Sequence, residues 1–188
     1  MPTLLIIIAS TRPGRVGLPV ARWFEEYAGR HGGFDVKVAD LAELDLPLLD
    51  EPHHPRMGQY TQEHTRAWSR MVGEADAFAF VMPEYNYAMT ASLKNALDYL
   101  YNEWNYKPVG LVSYGGMSGG LRAAQMVKEV VTTLRMMPLP EGVGIPFVSQ
   151  HIKDGAFQPP ELVVESARVM LDELGRWAGA LRTLREPV

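Results

Sequence analysis

Five short apolar runs, each followed by a stretch whose apolar residues recur at helical spacing, constrain this chain more than any other feature. The runs are residues 3–9, 34–39, 77–82, 107–113 and 143–148. The third, Ala77-Phe78-Ala79-Phe80-Val81-Met82, is apolar throughout, as expected of a parallel strand covered on both faces. The second alternates enough to lie nearer an edge. Parallel strands need helical crossovers, so five alternations predict a doubly wound α/β domain. Periodicity does not choose between the two common sheet orders.

The intervening helices are expected over residues 17–31, 61–74, 90–100, 119–136 and 159–185. In the first, Val16, Val20, Trp23, Phe24 and Tyr27 fall on one face, opposite Arg22, Glu25, Glu26 and Arg30. Leu121, Ala124, Val127, Val131 and Leu134 should face inward in the fourth; Leu162, Ala167, Leu171, Leu174 and Leu181 should do so in the last. Residues 40–60 hold Pro47, Pro52 and Pro55 and read as one long loop, a length that usually carries function or covers something.

The 188 residues suit one domain, 1–188, with a substantial core. A net charge of −4 gives no reason to expect nucleic acid. Without cysteine, disulfides, thiol nucleophiles and thiolate metal sites are excluded. The first apolar run is too short to span a bilayer and lacks the basic start of a secretion signal, so a soluble cytoplasmic protein is the expectation.

In an open α/β sheet ligands bind at the carboxyl ends of the strands, where three loops carry chemistry. The first, Ala9-Ser10-Thr11-Arg12-Pro13-Gly14-Arg15-Val16-Gly17, offers hydroxyls, two guanidinium groups and a helix start, a set suited to phosphate. It is neither a Walker A loop nor Gly-x-Gly-x-x-Gly, and an ordinary βα turn with solvated arginines also fits. The second is Pro83-Glu84-Tyr85-Asn86-Tyr87, where a strand gives way to a polar, aromatic loop. The third, Ser113-Tyr114-Gly115-Gly116-Met117-Ser118-Gly119-Gly120, allows close backbone approach to a flat ligand, or simply turns the chain.

Together, Ala-Ser-Thr-Arg-Pro-Gly-Arg, Pro-Glu-Tyr-Asn followed by Leu-Lys-Asn-Ala-Leu-Asp, and Ser-Tyr-Gly-Gly-Met-Ser-Gly-Gly resemble the NADPH-dependent FMN reductase family of flavodoxin-like proteins. The likeness covers most of the chain, up to the helix ending near Met136. It implies strand order 2-1-3-4-5 and a non-covalent FMN across the sheet edge. It implies that Ser10, Thr11, Arg12 and Arg15, with backbone groups at Val16 and Gly17, hold the phosphate. Pro83, Glu84, Tyr85 and Asn86 would line the ring and ribityl chain, and Ser113, Tyr114, Gly115 and Gly116 would approach the pyrimidine end. The activity implied is hydride transfer from NADPH or NADH through FMN to a quinone, azo or nitro compound, metal oxyanion or free flavin, in ping-pong fashion. No side chain need act as a nucleophile. An electron carrier without NAD(P)H activity, or a flavin-free binding module, are the alternatives.

Two positions depart from the family pattern. Ala9 stands where glycine is usual and would strain the loop if its φ were positive; Val16 stands where a hydroxyl residue is frequent. Similar proteins are dimers or tetramers that complete each other's flavin pocket. Tyr99, Tyr101, Trp104 and Tyr106 exceed what one buried helix face holds, so the helix over residues 91–103 is the expected homo-oligomer contact. His53-His54 reads as a solvated loop and Lys94/Asp98 as an i,i+4 pair.

Overall fold

The computed structural model describes residues 1–185. Five strands, β1 (Thr3–Ile8), β2 (Asp35–Asp40), β3 (Ala77–Pro83), β4 (Pro108–Tyr114) and β5 (Met137–Ile145), form one parallel sheet in the order β2-β1-β3-β4-β5. This is the expected flavodoxin-like order. Side chains alternate between the two faces, and helices cover both. On one face Leu5, Ile7, Phe78, Phe80 and Leu111 pack under α3 (Glu63–Gly73), α4 (Ala91–Asp98) and α5 (Leu121–Thr133). On the other, Leu4, Ile6, Ile8, Ala79 and Val112 pack under α1 (Gly17–His31) and α6 (Glu161–Leu181). Burial from both sides is the physical reason that β1, β3 and β4 read as unbroken apolar runs.

Several expected boundaries shift. The last strand begins at Met137, six residues before the expected start, and ends at Ile145, leaving Val148 in a 3-10 turn. Pro138 and Pro140 hid it, yet β5 is an edge strand, where missing ladder donors are tolerated. The fourth helix is trimmed to Leu121–Thr133 because Gly119 and Gly120 both adopt positive φ. Leu121 and Leu162 point outward rather than inward, and Leu181 is half-buried. A two-stranded hairpin, β6 (Ile152–Lys153) with β7 (Ala156–Phe157), went unpredicted, being too short for periodicity to mark.

The helix expected over residues 90–100 is also shorter than expected. The helix ends at Asp98, and Tyr99 and Trp104 are fully buried in the chain's own core, with the Trp104 ring tilted against Phe78 at a centroid distance of 4.9 Å. Two of the four aromatics are thus taken up by the chain's own core, while Tyr101 and Tyr106 stay half-buried. Lys94 and Asp98 do pair, on the surface.

Residues 40–60 are fastened rather than loose. Asp40 caps the short helix α2 (Leu41–Leu44). His54 caps a 3-10 turn (Pro55–Met57). Asp50 accepts hydrogen bonds from Tyr99 Oη and lies 3.0 Å from His64 Nε2. Glu51 accepts from the backbone N–H groups of Thr61 and Gln62, at 2.8 and 2.9 Å, ahead of α3. Desolvation opposes ionisation of Glu51, but these bonds outweigh it and hold the carboxyl at about 2, against an ordinary 4.5. A depressed carboxyl stabilises the fold fully above its unfolded value and loses that contribution as pH falls through the folded one. Glu51→Gln should therefore flatten the acid limb of the stability profile between pH 4.5 and about 2, read by thermal unfolding across that range.

Candidate active site

The carboxyl edge of the sheet brings the three loops together. The first is anchored by its entry residue: the Ala9 carbonyl accepts from Thr90 Oγ1 (3.2 Å) and Ser92 Oγ (2.5 Å) at the start of α4. Ala9 itself has no positive φ, so its replacement of glycine introduces no strain there. Val16 occupies the N-cap position of α1, and no side chain caps that helix. The first turn of α1 also carries no acidic residue. An uncapped helix start of this kind, with free N–H groups and the positive end of the helix dipole, suits an anion.

The floor of this cradle is unusual. Tyr114, at the end of β4, sends its hydroxyl under the start of α1, where a Cβ on Gly17 would lie 2.1 Å from it. That hydroxyl is buried and makes no hydrogen bond within the described residues. Burial raises its pKa above the ordinary tyrosine value, with Tyr85 adding to the rise and Ser10, Arg15 and Arg12 opposing it. A buried hydroxyl without a partner is costly unless a ligand completes it. Ser10, itself fully buried, pairs its Oγ with Tyr85 Oη at 3.0 Å and so joins the first loop to the second.

The two arginines of the loop differ. Arg15 closes its fork on Asp40 at the end of β2 and also donates to the Ser10 carbonyl, so its charge is neutralised within the chain. Arg15, expected at the phosphate, is here a strut between the first loop and β2, and its bond to Asp40 raises its pKa. Arg12 is exposed and its guanidinium has no partner among the described residues. Thr11 is exposed as well and borders a cleft of about 370 Å³ with Ala42, Leu48 and Ser92.

The second loop is a tight turn. Tyr85 and Ala88 exchange backbone hydrogen bonds at 3.0 and 2.9 Å, and Asn86 and Tyr87 both take positive φ, +51° and +68°. Two such residues define a type I′ turn, and a bulky one at positive φ marks stored strain. Tyr87 is exposed and stacks with the Arg122 guanidinium at 4.1 Å. Glu84 is held against α5: its carboxylate accepts from the Arg122 backbone N–H (2.9 Å) and guanidinium (3.0 Å), capping the helix. Burial works to raise its pKa, but these bonds prevail and hold it below the carboxylate norm. Pro83 closes β3 in register with Tyr114.

The third loop is braced from within. Ser113 Oγ donates to the Gly119 carbonyl at 2.9 Å, and Gly115 N–H to the Ile145 carbonyl at 3.2 Å. The Gly116 carbonyl accepts from Phe147. The N–H groups of Gly116, Met117 and Ser118 make no such bonds among the described residues. A Cβ on Gly120 would sit 2.7 Å from Tyr114 N, so glycine there lets the turn fold back on β4.

Sequence reasoning missed Asp40, Arg122, Thr90 and Ser92. Asp40 ends a strand on the same edge, a position that could have drawn notice; Arg122 becomes visible only when α5 is set against the second loop.

A family model described as NADPH-dependent FMN reductase matches residues 2–150. An NAD(P)H-dependent FMN reductase of Schizosaccharomyces pombe is 42% identical over 160 residues, covering 84% of this chain and 80% of the relative. The NAD(P)H-dependent FMN reductase ntnL of Nectria sp. is 33% identical over 192 residues, covering 99% and 95%. Among solved structures, the flavoenzyme FerB of Paracoccus denitrificans, an NAD(P)H:(acceptor) oxidoreductase, superposes with a TM-score of 0.75 at 18% identity over 96% of this chain and 98% of that one, a likeness of fold. An uncapped helix start over a partnerless buried hydroxyl, and a match running through all three loops, lead to one assignment: the chain belongs to the NADPH-dependent FMN reductase family.

Proposed function

We propose that residues 1–188 act as one FMN-binding oxidoreductase unit that takes hydride from NAD(P)H and passes it, in ping-pong fashion, to a quinone, azo or nitro compound, metal oxyanion or free flavin. The observation that carries this reading is the cradle at the start of α1, where the Tyr114 hydroxyl and the uncapped helix end await an anion. The residues present fit FMN: a phosphate at the helix N-terminus and a planar ring between the second and third loops. FMN, when bound, supplies the hydride-accepting chemistry. The chain supplies binding and electrostatics. Arg12 and the N–H groups of Val16 and Gly17 would hold the phosphate, with Ser10 and Thr11 as hydroxyl partners and Tyr114 from below. Tyr85 and Asn86 would flank the ring, and the N–H groups at Gly116 and beyond would oppose negative charge at its pyrimidine end. Arg15, Glu84 and Ser113 set loop geometry through internal bonds.

We place the activity in the cytoplasm and in a homodimer or tetramer. Among the described residues no helix is long and apolar enough to cross a membrane. Exposed Leu48, Leu49 and Met57, on the strap beside α4, support a subunit contact there.

Comparing FMN with riboflavin tests the phosphate assignment. Arg12→Ala should weaken FMN binding about tenfold, the worth of a charge-assisted contact, and leave riboflavin binding as it was. Equal loss for both flavins, or none, would count against it.

A further inference from the structure

A second cavity lies beyond the third loop, on the α5 side of the edge strand β5. It holds about 320 Å³ and shares Ser118 and Gly119 with the third loop. One wall is a stripe of α5, Leu121, Gln125 and Lys128, on successive turns of one face and about 10 Å long. The floor includes Gly142 and Gly144, in register with Leu111 and Ser113 of β4.

Gly144 has no structural reason to lack a side chain. Its φ is not positive, and an added Cβ would meet nothing closer than 4.0 Å. The absent side chain leaves the groove open. Lys128 is half-buried on one wall and Glu141 half-buried on the other, and neither is in an ion pair among the described residues. Met117, 84% exposed, stands where the groove meets the third loop.

We propose that this groove takes the adenosine 2′-phosphate end of NADPH, with Lys128 reading the phosphate. This rests on the flavin and nicotinamide reading above. Three features select that occupant. The groove is continuous with the loop that borders the flavin, so one dinucleotide can reach from the ring into it. Its floor of backbone and small residues, beside Leu121, accommodates a flat base. Its polar lining includes the Lys128 ammonium, a charge suited to the phosphate. Lys128 is then a specificity-determining residue, favouring NADPH over NADH.

The test uses the FMN-loaded, isotope-labelled protein titrated with adenosine 2′,5′-bisphosphate and, separately, with 5′-AMP. The bisphosphate should shift the backbone resonances of Gln125, Gly142 and Gly144. Lys128→Met should weaken the bisphosphate about fivefold and leave 5′-AMP nearly unaffected, as expected for one partly exposed charge contact. Gly144→Val should weaken both. Shifts confined to other surfaces, no shifts at all, or a Lys128→Met variant that binds the bisphosphate normally would overturn the proposal. Flavin uptake is read independently by visible absorbance, so its failure would refute the flavin reading without altering the resonance map.

Discussion

Gly17→Val should purify without flavin and fail to take up added FMN. The chain places the Tyr114 hydroxyl where any side chain at residue 17 must go: the first carbon alone would lie 2.1 Å from that oxygen and 3.0 Å from the ring carbon bearing it. Overpacking of this kind costs about 1–3 kcal/mol, and here the strain falls on the first turn of α1. Either the helix start lifts or Tyr114 swings out of the β4–α1 junction; both spoil the anion cradle. The loss in FMN affinity should be on the order of a hundredfold or more, about 2.7 kcal/mol. A second substitution separates this cause from general misfolding. Tyr114→Phe removes the colliding oxygen, so Gly17→Ala combined with Tyr114→Phe should recover thermal stability relative to Gly17→Ala. It should not recover full FMN affinity, because the Tyr114 hydroxyl is itself assigned to the phosphate. Equilibrium FMN titration with thermal unfolding of the same samples reads both effects.

Asp40→Ala should produce the largest loss of stability at the site. The Arg15 side chain is only 14% exposed and the Asp40 side chain 5%, so truncating the carboxylate strands a nearly buried guanidinium. Breaking such a pair costs about 3–5 kcal/mol, mostly as the penalty for the charge left behind. Asp40 also accepts from Ala42 N–H at 3.0 Å, and losing that cap adds about 1 kcal/mol. For a chain of this length each kcal/mol lowers Tm by about 2–4 °C, so a fall of roughly 8 °C or more is expected. Arg15→Met in the same background removes the stranded charge and should restore much of the loss. Arg15 also braces the Ser10 carbonyl, so FMN affinity should fall in both variants. An Asp40→Ala protein as stable as the parent would show the pair to be incidental.

The two-faced sheet was legible in the sequence because burial on both sides leaves an unbroken apolar run, as in residues 77–82. The edge strand was misplaced for the opposite reason. Met-Pro-Leu-Pro-Glu-Gly has neither alternation nor continuity, and only pairing with β4 makes it a strand. The three loops were also legible, since their residue types suit phosphate and a flat ring. Their internal wiring was not. Whether Arg15 serves a ligand or Asp40 depends on β1 and β2 being neighbours, and that is a property of the sheet order. Glu84 could be read as a pocket wall or as a structural hydrogen-bonding group, and its partner Arg122 becomes visible only once α5 is set against the second loop. The aromatics of residues 99–106 looked surplus because helical spacing was extended past Asp98, where the chain in fact turns Tyr99 and Trp104 back into the core.

The central claim is that the loop edge holds an FMN which NADPH reduces. Anaerobic titration of the FMN-supplemented protein with NADPH tests it most directly. The expected result is a yellow protein with stoichiometric flavin, bleached by NADPH and recoloured by an added quinone. A colourless protein that takes up no FMN, or a yellow one whose absorbance NADPH leaves unchanged, would contradict it.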